Sequence, residues 1–363
     1  MTTRTIQNKR ALTRAVIAGI AILAISLSLT ACSSDSKSTD ASVAAASEPA
    51  LDTAATADTS AVVDSAAAAD SAAATASEVA APAASDATSL FPVTIAAANG
   101  SVTIKAQPVA IISLSPTATE TLYAIGAGSQ VKAVDDQSNF PAESASKKSK
   151  LSGFEPNVEA IAAMKPDLVV ISDDSKGLST ALGKLGIATL LGAPAKTIDD
   201  VYTQIEQLGA ATGHVGDAAA LVGQMQTDLS TTLASVVKTT APVTFFHEVD
   251  KTGYTATSAT FIGAIYKMLG LTNIADSVGD TTGYPQMSTE AIVTANPQIV
   301  FLSDALYGES AATVAARPGW SAVDAVKNNH IVALDSDVAS RWGPRTVELV
   351  KAIAAAQTSV AAR

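Results

Sequence analysis

Two glutamates occupy the same position in a phrase of sequence that occurs twice. Glu159 opens the first copy, EAIAAMKPDLVVIS, and Glu290 opens the second, EAIVTANPQIVFLS. A carboxylate in the first turn of a helix is favoured by the positive end of the helix dipole, typically by about 0.3–1 kcal/mol. A carboxylate can also pair with a cationic partner. The long separation between the copies indicates two similar lobes that each carry an acid at the same place, and not a solenoid.

Two arginines lie four positions apart on either side of a Gly-Pro pair. Arg341 and Arg345 flank this pair, and Trp342 follows the first of them. Planar guanidinium groups match the oxygens of phosphate and carboxylate groups. Arg341 is therefore a candidate for binding an anionic group of a ligand. Arg345 opens the terminal helix, which favours a structural role for it.

The three histidines of the chain are scattered. His247 follows two phenylalanines at the end of a strand, from which it could point into a cleft as a ligand to iron or cobalt. A partly buried histidine that is hydrogen-bonded to the backbone is the favoured alternative. His214 and His330 lie far away in sequence, and this distribution does not resemble the clustered ligands of zinc or manganese sites. We expect no metal site made of protein side chains.

Each copy of the repeated phrase predicts the same local structure. It consists of a short helix, a proline that cannot extend it, and a buried strand. Further buried strands at residues 109–114, 131–134 and 187–191 alternate with helices, which indicates a parallel sheet. The helix after residues 109–114 begins either with Ser115 as its cap and Pro116 at its first position, or with a capping box. Thr117 and Glu120 would form that box.

A long helical stretch interrupts the alternation. From residue 198 to residue 237 no strand is predicted, and Leu221, Met225 and Leu229 share one helical stripe. We therefore predict an α/β protein with two lobes, at residues 90–197 and 241–363. A helical spine at residues 198–240 joins them. The cleft between two such lobes is a common place for a ligand.

The amino terminus has the features of an exported lipoprotein. Basic residues precede a run of 15 apolar residues, which is typical of a signal peptide and short for a membrane span. The run ends in Leu-Thr-Ala-Cys, which resembles the bacterial lipobox, and Cys32 is the only cysteine. We predict a signal peptide at residues 1–31, a palmitate-type lipid on Cys32, and a disordered tether at residues 32–89 with nine acids and one lysine.

Composition and missing motifs exclude other classes of function. The chain carries a formal net charge of −11, which makes nucleic acid an unfavourable partner. It contains no Gly-x-Ser-x-Gly, no His-Glu-x-x-His and no Walker-type phosphate loop. No motif therefore supports an enzyme, although the order of the residues would not reveal a Ser-His-Asp set.

Five motifs in order resemble the cobalamin, haem and iron-siderophore binding proteins of ABC importers. These are ISLSPTATE with the following GAG, KPDLV, YPQMSTE and RWGPR, and the resemblance as a whole covers about residues 109–350. The resemblance implies a binding protein, not an enzyme, with two lobes joined by one long helix. An extracellular enzyme or a surface sensor that reuses the fold is the alternative. The resemblance further implies that Glu159 and Glu290 dock on arginines of a membrane permease, with an ATPase as a further partner. Such a protein is exported, and its lipid anchors it to the outer face of the cytoplasmic membrane.

The resemblance also implies a ligand site between the lobes. Phe140 matches an aromatic residue of the first lobe and Tyr284 one of the second, while Tyr254, Trp342 and Arg341 are further candidates. Aromatic faces bury large areas of a macrocycle with little loss of conformational freedom. The expected ligand is a corrinoid, with a ferric siderophore or haem as alternatives. We expect a monomer without a permanently bound cofactor.

Overall fold

Two α/β lobes make up the computed structural model, which describes residues 90–361. The predicted signal peptide, Cys32 and the predicted tether lie outside the described residues. Between residues 90 and 361, no helix has both the length and the apolar character that crossing a bilayer requires.

A β-hairpin that the sequence analysis did not predict precedes the first lobe. Its strands are β1, Val93–Ala97, and β2, Gly100–Ile104, which pair antiparallel. A two-residue turn joins them, and Gly100 follows it at φ 101°, where side chains are rarely tolerated. The hairpin is held to the first lobe because Gln207 Nε2 donates a hydrogen bond to the carbonyl of Ala96 at 2.6 Å.

The first lobe contains a four-stranded parallel sheet and three helices. The strands lie in the order β4-β3-β5-β6. In chain order the elements are β3 (Ile111–Leu114), α1 (Pro116–Ala124), β4 (Val131–Val134), α2 (Val158–Ala163), β5 (Leu168–Ile171), α3 (Leu178–Lys184) and β6 (Ala188–Leu191). Helix α1 starts with Ser115 as its cap and Pro116 at its first position, so the first of the two predicted starts is correct.

Helices cover both faces of this sheet, and successive residues of β3 and β5 point alternately to the two cores. Ile111, Leu168 and Val170 point to one core, which contains residues of α1. Ile112 and Val169 point to the other core, to which α2 and α3 contribute. The strands are therefore mostly apolar, with Ser113, Lys132 and Thr189 as their polar residues.

Two helices follow the first sheet. Helix α4, Ile198–Thr212, ends at Gly213, which has φ 83°, and α5, Val215–Ser235, continues the chain. Helix α4 packs into the first core. Helix α5 contributes to both lobes, since Val222 and Met225 lie in the first core whereas Leu229 lies in the second. With 21 residues it is about 32 Å long.

The second lobe repeats the topology of the first. Its parallel strands lie in the order β8-β7-β9-β10. In chain order the elements are β7 (Thr244–Glu248), α6 (Phe261–Met268), β8 (Thr272–Asn273), α7 (Thr289–Ala295), β9 (Ile299–Leu302), α8 (Ala311–Ala315), α9 (Asp324–Lys327), β10 (Ile331–Ala333), α10 (Ser336–Ser340) and α11 (Thr346–Ala361). Two apolar cores enclose this sheet as well.

The repeated phrase folds in the same way in both lobes. It forms α2 and β5 in the first lobe, and α7 and β9 in the second. The residue before the repeated proline has a positive φ in each copy, 50° at Lys165 and 48° at Asn296. The prediction of an α/β protein with two lobes built on parallel sheets is therefore confirmed.

Candidate functional site

The strand order marks the carboxyl ends of the strands as the edge of each sheet at which a ligand is expected. In both lobes the first strand lies between the second and the third, so the chain leaves neighbouring strands in opposite directions. Open parallel sheets bind ligands outside the carboxyl ends of the strands at such a switch point. In the second lobe, His247 and Ser303 lie at this edge, at the ends of β7 and β9.

A cavity of about 570 Å³ opens at this edge. His247, Ser303 and Tyr284 line it from the second lobe, and Lys196 belongs to the segment before α4 on the side of the first lobe. This volume lies within the range of roughly 300–1,000 Å³ that is usual for small-molecule sites. The cavity is therefore large enough to hold a ligand between the lobes.

Aromatic side chains form much of the wall. Tyr284 is 53% exposed and Tyr307 is 82% exposed, although both line the cavity. Trp342 is half-buried, and its Nε1 donates a hydrogen bond to Oε1 of Gln204 on α4 at 3.2 Å. The indole is thus held in place while the two tyrosines remain open to a partner. Exposed aromatic faces of this kind suit a large planar ligand.

Charge is sparse in the cavity. Among its lining side chains that the structure describes, Lys196 and Asp337 are the charged ones. The other polar groups are hydroxyls, such as those of Thr281, Thr282 and Ser340. The site therefore offers hydrogen bonds and apolar surface, but no cluster of cations for a multiply charged anion.

His247 lies at the back of the cavity and is only 2% exposed. Its Nδ1 is 2.9 Å from the hydroxyl oxygen of Tyr266, which is itself buried on α6. The predicted hydrogen bond between His247 and the backbone is therefore wrong, and the partner of its Nδ1 is a side chain. Burial lowers the pKa of His247 to about 4, so the imidazole is neutral at physiological pH.

A buried ionic network joins the lobes beside the cavity. Glu120 on α1 is 3% exposed, and its Oε1 lies 2.7 Å from Arg341 Nη1 and 2.6 Å from Arg345 Nη2. Arg341 Nη2 also contacts Asp337 Oδ1 at 2.7 Å, and Asn139 Nδ2 donates a hydrogen bond to Asp337 Oδ2. The hydrogen bonds to Glu120 raise the pKa of Arg345 above the ordinary value of an arginine.

The structure brings two of the five predicted ligand residues to the cavity. Tyr284 and Trp342 line it, whereas Phe140, Tyr254 and Arg341 are not part of the described wall. The ring of Phe140 stacks under the guanidinium of Arg345, with 4.1 Å between the ring centroid and Cζ. Tyr254 is exposed, and its backbone pairs with that of Gln286. Arg341 is occupied by the acids of the ionic network.

Phe154 is a candidate that the sequence analysis missed. Its side chain is 75% exposed, in the loop that leads to α2. The neighbouring Gly153 lies so close to the end of β3 that a Cβ there would be 2.6 Å from the carbonyl oxygen of Leu114. Phe154 precedes Glu159 much as Tyr284 precedes Glu290, so the repeat itself was the signal that could have found it.

Both repeated glutamates are exposed, at the second position of α2 and of α7. Asn157 and Ser288 cap these helices by accepting hydrogen bonds from the amides of Ala160 and Ala291. Hydrogen bonds from its own amide and from Ser288 lower the pKa of Glu290. Each lobe therefore presents a carboxylate to solvent on a helix that its cap fixes.

No group of three or more His, Cys, Asp or Glu side chains between residues 90 and 361 is arranged to hold a metal ion.

Comparisons with known proteins place the chain in a family. The periplasmic binding protein family model matches residues 111–338. An uncharacterized ABC transporter substrate-binding lipoprotein, YvrC of Bacillus subtilis, is 36% identical over 75% of this chain and 87% of its own length. A cobalamin-binding protein of Halobacterium salinarum is 31% identical over 73% of each chain.

A solved structure has the same fold. It is a possible iron-binding periplasmic solute-binding protein from Staphylococcus epidermidis, with 28% identity and a TM-score of 0.59. The match covers 69% of this chain and 98% of that protein. Together with the relatives above, it confirms that the chain is a solute-binding protein and not an enzyme. The chain thus belongs to the periplasmic binding protein family.

Proposed function

We propose that this chain is the lipid-anchored solute-binding protein of an ABC importer and that it captures a corrinoid between its two lobes. The observation that carries the choice of ligand is the low charge of the cavity, whose described wall has one lysine and one aspartate. The cobalamin-binding relative, which is similar over 73% of this chain, supports the same choice.

The charge of the cavity discriminates between the three ligand classes. Haem carries two propionates, and many ferric siderophores carry several negative charges, which arginine clusters would have to neutralise. Arg341 and Arg345 do not serve this purpose, because Glu120 and Asp337 occupy them. The rim of a cobalamin carries uncharged carboxamides and one phosphate. Hydroxyl groups and the single Lys196 match that pattern.

Aromatic residues from both lobes would enclose the macrocycle. Tyr284 and Trp342 line the cavity, and we propose the exposed Phe154 of the first lobe as a third face. We propose that Phe140 and Arg341 act indirectly, through the ionic network. Arg341 holds Asp337, which lines the cavity, and Phe140 stacks on Arg345. Tyr254 is proposed as a contact at the exposed edge of the site.

Equilibrium dialysis of the purified protein against coloured ligands tests the proposal. Cyanocobalamin should be retained by one site, while haem and ferric siderophores pass through. Trp342→Ala should weaken the retention of cyanocobalamin by about tenfold, because a stacking face is lost. Trp320→Phe, in the core of the second lobe, is the matched control and should bind normally. Retention of haem or of a siderophore in place of cyanocobalamin would contradict the choice of ligand.

We further propose that Glu159 and Glu290 dock on cationic side chains of the permease. Replacing both by alanine should leave the affinity for cyanocobalamin unchanged and abolish import. Glu206 and Glu348 are exposed glutamates on α4 and α11, and their double alanine variant provides the control. Import that survives the Glu159 and Glu290 replacement would rule out the docking role.

The lipid anchor on Cys32 is part of the same proposal. The relative YvrC is described as a lipoprotein, and the lipobox-like motif of this chain points to the same modification. Cys32→Ala should release the protein from the membrane fraction. A variant that remains in that fraction would contradict the modification.

A further inference from the structure

His247 and Tyr266 form a buried pair at the wall of the cavity, and neither residue has a role in the function proposed above. His247 is the fourth of five residues in β7, at the ligand edge of the sheet, and it lines the cavity. Tyr266 lies behind it on α6 and does not line the cavity. The histidine is therefore in contact with the core through Tyr266 on one side and with the ligand space on the other.

Tyr266 is held rigidly. Its ring stacks on Phe245 with 4.0 Å between the centroids, and it packs at 5.0 Å against Phe301. Because all three rings are buried in the core of the second lobe, the hydroxyl group has a fixed position. The 2.9 Å bond between this hydroxyl and His247 Nδ1 thus fixes the plane of the imidazole.

The direction of this hydrogen bond decides what the histidine offers to a ligand. Within the described residues, His247 Nδ1 is the partner that the structure gives the Tyr266 hydroxyl. A buried hydroxyl proton needs an acceptor, and Nδ1 is the acceptor that the described residues offer to it. We therefore assign Nδ1 as the acceptor, so that the neutral imidazole carries its single proton on Nε2. The lowered pKa of His247 agrees with a neutral ring.

We infer that His247 donates a hydrogen bond from Nε2 to an acceptor oxygen of the bound corrinoid, and that Tyr266 holds it in this tautomer. The inference deepens the proposed function and rests on it for the identity of the ligand. A protonated Nε2 has no lone pair for cobalt, so His247 is a recognition residue and not an axial ligand of the metal. Carboxamide oxygens on the rim of the macrocycle are the matching chemistry.

The tautomer can be measured without any ligand. In ¹⁵N-labelled protein at neutral pH, one of the three histidines should show a protonated Nε2 and an unprotonated Nδ1. His247→Gln identifies its signals by their loss, and Tyr266→Phe should shift the proton partly to Nδ1. A proton on Nδ1 in the natural protein, or a tautomer that Tyr266→Phe leaves unchanged, would overturn the inference.

Binding measurements test the role in recognition. His247→Leu should weaken the binding of cyanocobalamin by about tenfold, as the loss of one buried hydrogen bond predicts. His247→Gln retains a donor near the position of Nε2 and should bind within about threefold of the natural protein. His214→Gln, at the start of α5, is the control and should bind normally. Equal affinity of a folded His247→Leu variant would overturn the inference.

Absorbance separates the donor role from metal coordination. Aquocobalamin should have the same spectrum when bound to the natural protein and to His247→Leu. A spectral change on binding that disappears in His247→Leu would show that the imidazole replaces the cobalt-bound water, against the inference. If the natural protein binds no corrinoid, the proposed function fails while the tautomer measurement still stands.

Discussion

Asp173 and Asp304 stand at the same position of the two lobes, directly after the repeated phrase, yet their carboxyl groups experience opposite environments. Asp173 is exposed, and a hydrogen bond from Ser175 lowers its pKa. Asp304 is buried, and burial together with the neighbouring Glu248 raises its pKa to about 6. An identical residue in an identical topology thus serves a solvated turn in one lobe and a crowded acidic site in the other.

A second pair of equivalent positions differs in chemical type. Counted from the helix caps Ser115 and Thr260, Glu120 of α1 corresponds to Ile265 of α6, and both side chains are buried. Glu120 binds the two arginines between the lobes, whereas Ile265 packs in an apolar core. The shared positions build the two scaffolds, and the lobes diverge where they must meet each other or a ligand.

Removal of Glu120 should produce the largest effect. Glu120→Ala leaves the partly buried guanidinium groups of Arg341 and Arg345 without their carboxylate, and the free energy of unfolding should fall by about 3–5 kcal/mol. Urea unfolding measures this change. Glu206→Ala, which removes an exposed glutamate of α4, should change stability by less than about 0.5 kcal/mol. Similar losses in the two variants would contradict a structural role of the network.

The pH dependence of stability should separate the two aspartates. Between about pH 4 and pH 6, Asp304 binds more protons in the folded than in the unfolded state, so its contribution to stability falls as the pH rises. The loss approaches about 3 kcal/mol. Asp304→Asn should remove this decline in thermal unfolding across that range.

Asp173→Asn should act in the opposite direction. The lowered pKa of Asp173 contributes stability above about pH 4, which is lost on further acidification, and exposure makes the effect small. If Asp173→Asn also removed the decline between pH 4 and pH 6, the assignment to Asp304 would be wrong.

An exchange of the residues before the repeated prolines should have an intermediate effect. Asn296 tolerates its positive φ, and its Oδ1 accepts a hydrogen bond from the amide of Asp324 at 2.8 Å. Asn296→Lys should lose about 1–2 kcal/mol of stability, while Lys165→Asn should gain up to about 1 kcal/mol. Urea unfolding of both variants checks the signs. A gain in both or a loss in both would show that backbone strain does not distinguish the copies.

The helix caps should give the smallest and most symmetrical effects. Asn157→Ala and Ser288→Ala each remove one hydrogen bond to the first turn of α2 or α7, and each should lose about 1 kcal/mol. Asn157→Ser retains a capping oxygen and should be nearly neutral. A clear difference between the two alanine variants would mean that the caps are not equivalent, although the repeat aligns them.

Local patterns in the sequence predicted most of the scaffold. The repeated phrase predicted β5 and β9 correctly, and the Ser115-Pro116 start of α1 is one of the two alternatives that the sequence left open. The hairpin of β1 and β2 was missed although Asn99-Gly100 marks its turn. Its strands carry few large apolar residues, so their burial pattern was weak.

The sequence could not predict those features of the site that depend on contacts between residues far apart in the chain. The partner of Arg341 is Glu120, 221 positions away, and no local pattern reveals that pairing. The same holds for His247, whose partner Tyr266 lies on another element. Tyr284 and Trp342 were found because motifs of the family mark them. Phe154 lies outside any motif of the family, and its place ahead of Glu159, comparable to that of Tyr284 ahead of Glu290, was the one sequence signal for it.

Helix α5 has a consequence for the unfolding of the whole molecule. Val222 and Met225 belong to one core and Leu229 to the other. Unfolding of either core would therefore expose apolar surface on a helix against which the other core is packed. We therefore expect the two sheets to unfold together, in spite of their separate hydrogen-bond ladders. A solute bound at the edge of the second sheet would then raise the unfolding temperature of the first lobe and of the N-terminal hairpin as well, in one shared transition.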